Sequence, residues 1–372
     1  MLTMVSMDDD TDHELLAFMR KALGFDPAPP SKSPPDTGVL RSAEYIYDNA
    51  IDVALDMRSC KDAAETILTC MQHANYGTQT WDGHALHPHS KDEEQIDFIF
   101  TMDLLNFSFW PDDPRADYEV DYAGNQESGY WSLVAALRRA LDEGIPITSP
   151  YFWVDTDTCT DELLTHVFRS STATPIPLLS ERIACLREAG EILCDRFNGS
   201  FVNLIREAGE SASALVNLVV AEFPCFRDEA KFQGRNIHFY KRAQILVADV
   251  WASFNGTSYG TFRDINTLTM FADYRIPQIL HTLGCIIFSP PLDAAIRDRR
   301  PIPHQSTWEL EIRGCTIHCV ELIRREIVTR HPEAAGTVNA VLIDFFLYDT
   351  AKEWEVQGRQ MIPPHRTRSI WY

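Results

Sequence analysis

Lys241-Arg-Ala-Gln-Ile-Leu-Val-Ala-Asp-Val-Trp251 and, a little further on, Leu268-Thr-Met-Phe-Ala-Asp-Tyr-Arg-Ile-Pro-Gln278 decide how this chain is read. The first run sets Ile245, Leu246, Asp249 and Trp251 at helical spacing behind Lys241 and Arg242. In the second, Pro277 fits only the first turn of a helix, so a helix should begin near Asp273. Lys241 and Asp273 thus both lie in apolar, aromatic surroundings, where a charge is costly unless it pairs or does chemistry. Asp273 reads as an N-cap accepting backbone N–H bonds. It also reads as a carboxylate kept ionised for chemistry, and the two are compatible, because a helix N-terminus favours the anion. Lys241 and Arg242 read either as solvated charges at a helix start or as cations that pair with Asp273 or hold a phosphate. A cation there opposes the helix macrodipole, which favours a purpose.

The same 3.6-residue spacing recurs at 161–168, 179–197, 201–208, 212–222, 240–254, 276–283, 310–329 and 337–356. Earlier segments at 43–57, 63–71 and 131–141 follow it too, the last closed by Gly144 and Pro146. Strand signals are few. Tyr118-Glu-Val-Asp-Tyr122 alternates, Ala123-Gly-Asn-Gln turns, and Ser128-Gly-Tyr-Trp returns, which predicts one small hairpin. The fold class is therefore mainly α, with a small β element near residues 100–130. Phe98 to Trp110 is the most apolar stretch and ends in a turn at Pro111-Asp-Asp-Pro114. Residues 75–92, polar and rich in His, are expected to form a solvated surface loop. Residues 1–38, acidic and then Pro-rich at Asp26-Pro-Ala-Pro-Pro-Ser-Lys-Ser-Pro-Pro-Asp36, read as an extension and linker, and 39–372 as one globular body.

With 372 residues, 45% of them hydrophobic, the chain can bury a large core. A net charge of −21 repels phosphate backbones, so a broad nucleic-acid footprint and stable nucleic-acid binding are not expected. A local basic pocket for one phosphate remains open. Nine Cys without a paired CxxC framework suggest reduced thiols and a cytoplasmic protein. No basic, apolar leader and no membrane-length apolar run is present, so neither a secretory signal nor a membrane association is expected. A monomer is expected.

Further candidates cluster around the aromatic run. Phe107, Phe109 and Trp110 can be core, or can sandwich a purine-like base whose exocyclic amine Asp103 accepts. Trp131, Tyr240, Tyr274 and Arg275 join them as candidate substrate contacts, as does Asp344, an acid with apolar neighbours on both sides. Asp349, about 140° from Asp344 on a helical wheel, is expected to face solvent or pair with Lys352. His84, His87 and His89 lack metal-ligand partners, and Cys315 with Cys319 reads as buried thiols, so no metal is expected. No P-loop, GxGxxG, GxSxG or HExxH pattern occurs.

Several ordered segments resemble the queuosine-5′-phosphate N-glycosylase/hydrolase family, the queuosine salvage proteins. They are Leu105-Asn-Phe-Ser-Phe-Trp, Ser128-Gly-Tyr-Trp-Ser, Ala140-Leu-Asp-Glu-Gly-Ile-Pro-Ile-Thr-Ser, Phe239-Tyr-Lys-Arg-Ala-Gln-Ile-Leu-Val-Ala-Asp, Leu268 to Gln278, Glu311-Ile-Arg-Gly-Cys and His365-Arg-Thr-Arg-Ser-Ile-Trp-Tyr372. The resemblance implies hydrolysis of queuosine 5′-phosphate to queuine and ribose 5-phosphate, without metal or organic cofactor. It also implies a helical architecture similar to DNA glycosylases. Asp273 matches the family's catalytic Asp and Lys241 its active-site Lys. Asp273 would stabilise the sugar cation and then activate water, or attack the anomeric carbon directly. Competing readings are a base-excision glycosylase acting on nucleic acid, which would need a basic strip, and a non-catalytic helical scaffold.

Overall fold

The computed structural model describes residues 35–111 and 117–372. In chain order the helices are α1 (Val39–Asn49), α2 (Met57–His73), α3 (Glu93–Leu104), α4 (Tyr130–Asp142), α5 (Pro150–Val154), α6 (Asp161–Val167) and α7 (Leu179–Phe197). They continue with α8 (Val202–Ala208), α9 (Ala212–Glu222), α10 (Lys241–Ser253), α11 (Ile276–Thr282), α12 (Pro290–Arg297), α13 (Thr307–Arg330) and α14 (Ala340–Val356). Among the described residues three two-stranded antiparallel sheets accompany them. They pair β1 (Val53–Leu55) with β6 (Ile286–Phe288), β2 (Glu119–Tyr122) with β3 (Asn125–Ser128), and β4 (Glu229–Phe232) with β5 (Arg235–His238). The expected mainly helical class holds. Among the described residues no helix is long and apolar enough to cross a membrane.

Two helices form the interior. On α10 and over residues 309–321 of α13 nearly every side chain is buried, so these helices are enclosed all round rather than amphipathic. Helix α13 packs against α1, α2, β1 and α14. Its Gly314 is required by the crossing with α1, since a Cβ there would lie 2.6 Å from Ile46. Glu311, one turn earlier, accepts from the backbone N–H groups of Ile51, Asp52 and Val53 at 3.1, 2.6 and 3.2 Å. That carboxylate ends α1 and starts β1. A helix through residues 43–57 was the expectation, and it stops at Asn49 for this reason.

Other differences have local causes. Asp56 caps α2, accepting from Ser59 N at 2.7 Å, so that helix starts six residues before the expected Ala63. The return strand of the predicted hairpin is Asn125–Ser128, and Gly129 (φ 62°) turns the chain into α4. The β4–β5 hairpin, turned at Gln233-Gly234, and the short β1–β6 pair were not anticipated, being too short or too polar to alternate clearly. Most of the turn expected at Pro111–Pro114 and most of the extension over 1–38 lie outside the described residues. Thr37 and Gly38 are buried and belong to the body.

The largest departure is at residues 75–92. Thr78–Gly83 form a 3₁₀ turn packed on α10, and Trp81, Leu86 and His87 are buried. Stacking of Trp81 on His87 (3.7 Å) buries both rings, and His84 stacks half-buried on Trp131 (3.3 Å), which the polar composition of the loop conceals.

Candidate active site

Helix α10 begins at Lys241, whose N–H donates to Asp228 Oδ2 at 3.3 Å. Asp228 is itself held by a bidentate pair from Arg313 (2.9 and 2.5 Å). Tyr240, just before, sits at φ 49°, a left-handed conformation uncommon for a residue with a side chain. This bend delivers Lys241 into the interior, 5% exposed, where its Nζ donates to Asn106 O at 3.5 Å. Arg242 is buried as well, donating to the carbonyls of Leu104 and Cys225. The reading of these two residues as solvated charges is therefore overturned.

Asp273 lies on an extended segment that three helices hold by their side chains. Gln244 of α10 accepts from Thr269 N at 3.0 Å, Asp344 of α14 accepts from Phe271 N at 2.9 Å, and Arg313 of α13 donates to Ala272 O at 3.0 Å. Asp273 Oδ1 then accepts from Arg275 N (2.8 Å) and Ile276 N (3.1 Å) at the start of α11, so the capping geometry expected from Pro277 is present. Burial raises the Asp273 pKa above the ordinary carboxylate value, while Lys241 and the two N–H bonds hold it down. Burial lowers the Lys241 pKa, and the charges of Asp273, Asp103 and Asp344 work against that.

These groups face a cavity of about 330 Å³. One wall is Lys241, Ile245 and Asp249 of α10, and another is Asp344, Phe345, Tyr348 and Asp349 of α14. Tyr130 and Trp131 at the start of α4 and the 75–92 loop, through Tyr76, Thr80, Trp81, Gly83, His84 and His87, close it. His87 donates from Nδ1 to Trp81 O (2.7 Å), so Nε2 accepts from Tyr130 OH (3.0 Å). Burial pushes its pKa down to about 4, keeping it neutral. A smaller chamber of about 50 Å³ adjoins, lined by Phe109, Gly129, Tyr274, Arg275, Lys352 and Tyr372. Asn106, Tyr130, Lys241, Asp273 and Tyr348 line both, so Asp273 and Lys241 stand where the two meet.

Of the residues singled out in the sequence, Asp273, Lys241, Trp131 and Asp344 line the large cavity, and Phe109, Tyr274 and Arg275 the small one. Four do not line either. Phe107 is fully buried under the guanidinium groups of Arg182 (4.3 Å) and Arg242 (5.0 Å). Trp110 stacks with Arg368 at 3.5 Å. Tyr240 donates to Glu229 at 2.6 Å and stacks on His238. Asp103 is wholly buried and accepts from Asn106 Nδ2 at 3.2 Å, its Oδ2 unpaired.

Asp349 lines the cavity and accepts from Tyr76 OH at 2.5 Å, whereas Lys352 pairs with Glu355 at 3.3 Å, so the expected Asp349–Lys352 pair is not formed. Both Asp344 and Asp349 line the cavity despite their angular separation, at the two edges of a broad α14 face that Phe345 and Tyr348 complete. Sequence reasoning missed Asn106, Tyr76, Trp81, His84, His87, Tyr348 and Lys352. Asp249 was noticed only as part of a helical face, although an acid four residues after Ile245 and eight after Lys241 falls on their stripe.

Residues 86–372, which include Lys241, Asp273 and both walls from α10 and α14, match the family model described as queuosine salvage protein. The chain belongs to the queuosine salvage protein family. It is 42% identical over 349 residues to the queuosine 5′-phosphate N-glycosylase/hydrolase of Schizosaccharomyces pombe, covering 90% of this chain and 99% of that protein. The protein of that name from Mus musculus is 42% identical over 342 residues, covering 91% and 99%. The one from the bacterium Sphaerobacter thermophilus is 38% identical over 341 residues, covering 90% and 98%. Membership in the queuosine salvage family thus extends over nearly the whole chain.

Proposed function

We infer that this chain hydrolyses the N-glycosidic bond of queuosine 5′-phosphate, releasing queuine for reuse in tRNA modification together with ribose 5-phosphate. Beyond the names of its relatives, one observation supports the reading: Asp273 and Lys241 line both an aromatic-walled chamber and a smaller one containing Arg275 and Lys352. A nucleotide has the same order, with base, glycosidic bond and phosphate in sequence. The base fits the larger space among Trp131, Phe271 and Phe345, and the phosphate fits the two cations, both of which pair with Glu355 (3.4 and 3.3 Å).

The chemistry of the base explains the carboxylate. A 7-deazaguanine lacks N7, so the protonation that activates an ordinary purine leaving group is unavailable there. The barrier is lowered by stabilising the sugar cation instead, and a fixed anion in a dry site does this well. Asp273 is the anion. Lys241 keeps it ionised against burial, and phosphate contacts remote from the reacting bond orient the sugar. The net charge of −21 suits a free nucleotide better than a polynucleotide.

The test is incubation with queuosine 5′-phosphate, queuosine and Q-containing tRNA, with queuine followed by chromatography. The nucleotide should yield queuine, and the nucleoside should lose kcat/KM by about two orders of magnitude or more, having no phosphate to anchor. Asp273→Asn should stay folded and lose turnover by roughly three orders of magnitude, as expected for removing a charge that faces the transition state. Absence of queuine from the nucleotide would overturn the function, and near-normal turnover by Asp273→Asn would overturn the role of that residue.

A further inference from the structure

We propose that Asp249 is the specificity residue of the large chamber, accepting hydrogen bonds from the ring N–H and exocyclic amine of a guanine-type base. The proposal rests on the nucleotide reading above and assigns which end of the substrate lies where. Lys241, Ile245 and Asp249 lie one turn apart on α10 and line the same cavity. Eight residues of helix set the acid about 12 Å along the axis from the lysine. A bicyclic base reaching from a reacting bond beside Asp273 to a hydrogen bond at its far edge fills such a span.

The other acids lining this cavity are already engaged. Asp273 accepts from Arg275 and Ile276 N–H, Asp344 from Phe271 N, and Asp349 from Tyr76 OH. Asp249 is only 3% exposed, and the Trp81 side chain beside it is the one polar neighbour that, with Lys241, works against the rise in its pKa, no hydrogen bond of ordinary geometry reaching its carboxylate among the described residues. Its carboxylate therefore retains acceptor capacity in a nearly dry site, where unmet capacity is costly. Burial first, then the neighbouring Asp103, holds its pKa well above the ordinary value. A second anion at this end would add to the repulsion, whereas two adjacent N–H donors relieve it. Lys241 is the only Lys or Arg among the described residues lining this chamber. The phosphate accordingly belongs at the other end, with Arg275 and Lys352. Asp103, which the sequence suggested for reading the base, lies behind Asn106 and does not line the cavity.

The experiment measures binding of two free bases, 7-deazaguanine and 7-deazahypoxanthine, which differ only in the exocyclic amine, by calorimetry. The unaltered protein should favour the amino base by about 100-fold or more, as sites built around a hydrogen-bonding group do. Asp249→Asn, nearly the same size, should reduce that preference to within about threefold, because its amide presents a donor to the ring N–H. Trp81→Phe, which leaves Asp249 in place but unsupported, should give an intermediate preference and serves if Asp249→Asn does not fold. Equal affinity of the unaltered protein for both bases, no binding of either, or an undiminished preference in the folded variants would each overturn the proposal. Failure to hydrolyse queuosine 5′-phosphate would instead strike the proposed activity and leave these binding ratios readable.

Discussion

A lysine buried to 5% exposure loses most of its water, and Lys241 offsets that loss with one carbonyl contact and the charges of three carboxylates. The dependence runs both ways. In the proposed reaction Asp273 would have to be an anion to stabilise the sugar cation, and burial alone would push it towards the neutral acid. Its raised pKa means that activity falls as pH drops through that value, so the acid limb of kcat/KM lies above the ordinary aspartate range. Lys241 lowers the Asp273 pKa. Lys241→Met should therefore shift the acid limb to higher pH, besides reducing the maximal rate. A pH profile of kcat/KM with queuosine 5′-phosphate checks this. An unmoved limb with a lower plateau would mean that Lys241 contacts substrate without tuning Asp273.

At the scale of elements, the segment 268–275 has little regular structure of its own and is positioned by Gln244, Asp344 and Arg313 from three helices. Arg313 carries the heaviest share. It holds Ala272 O beside Asp273, pairs with Asp228, which caps α10, and lies 4.0 Å from the Phe239 ring and 4.3 Å from the Tyr372 ring. Arg313→Met should cost about 3–5 kcal/mol in urea unfolding at neutral pH, since it strands Asp228 and Glu309 in the interior. Burial opposes ionisation of Glu309, but His304, Arg313 and Tyr372 hold its pKa below the usual value. A depressed carboxylate adds stability that is present above its unfolded pKa and is lost as pH falls through the folded one. Without Arg313 that contribution is gone, so the gap between variant and parent should narrow on acidification through the glutamate range. A constant gap would show that packing rather than charge is lost. This network marks the limit of what the sequence discloses. The helices were legible because their apolar spacing is local, and Asp273 and Lys241 because charges stood in greasy stretches. Glu309 is one turn from Arg313, but its partners Ala272 and Asp228 lie 41 and 85 positions away, and no periodicity reports such pairs. Loop 75–92 misled for a related reason: Trp81 and His87 are buried, and His84 half-buried, by stacking on one another and on Trp131 of α4, not by an apolar pattern of their own.

At the scale of the whole molecule, a charge of −21 acts beyond any one pocket. It opposes approach of a polyanion, and under the proposed function the two cations lining the small chamber would hold a single phosphate, so free nucleotide should be preferred over tRNA. Four acids, in Asp8-Asp-Asp-Thr-Asp12, precede the globular body, which carries most of the acidic excess, and the following Pro-rich stretch favours neither a helix nor a central strand. The body itself begins slightly before the expected Val39. Asp36 accepts from Gly38 N at 2.6 Å and pairs with Arg41 at 2.7 Å, and Thr37 is buried. A chain beginning at Asp36 should therefore keep the melting temperature and the kcat/KM of the full chain, whereas one beginning at Val39 should lose about 1 kcal/mol through the missing start of α1. Thermal unfolding and turnover of the two shortened chains beside the full one check both statements. A drop of many degrees on removing residues 1–35 would show that the apolar segment Glu14 to Leu23 docks on the body and contributes to its stability.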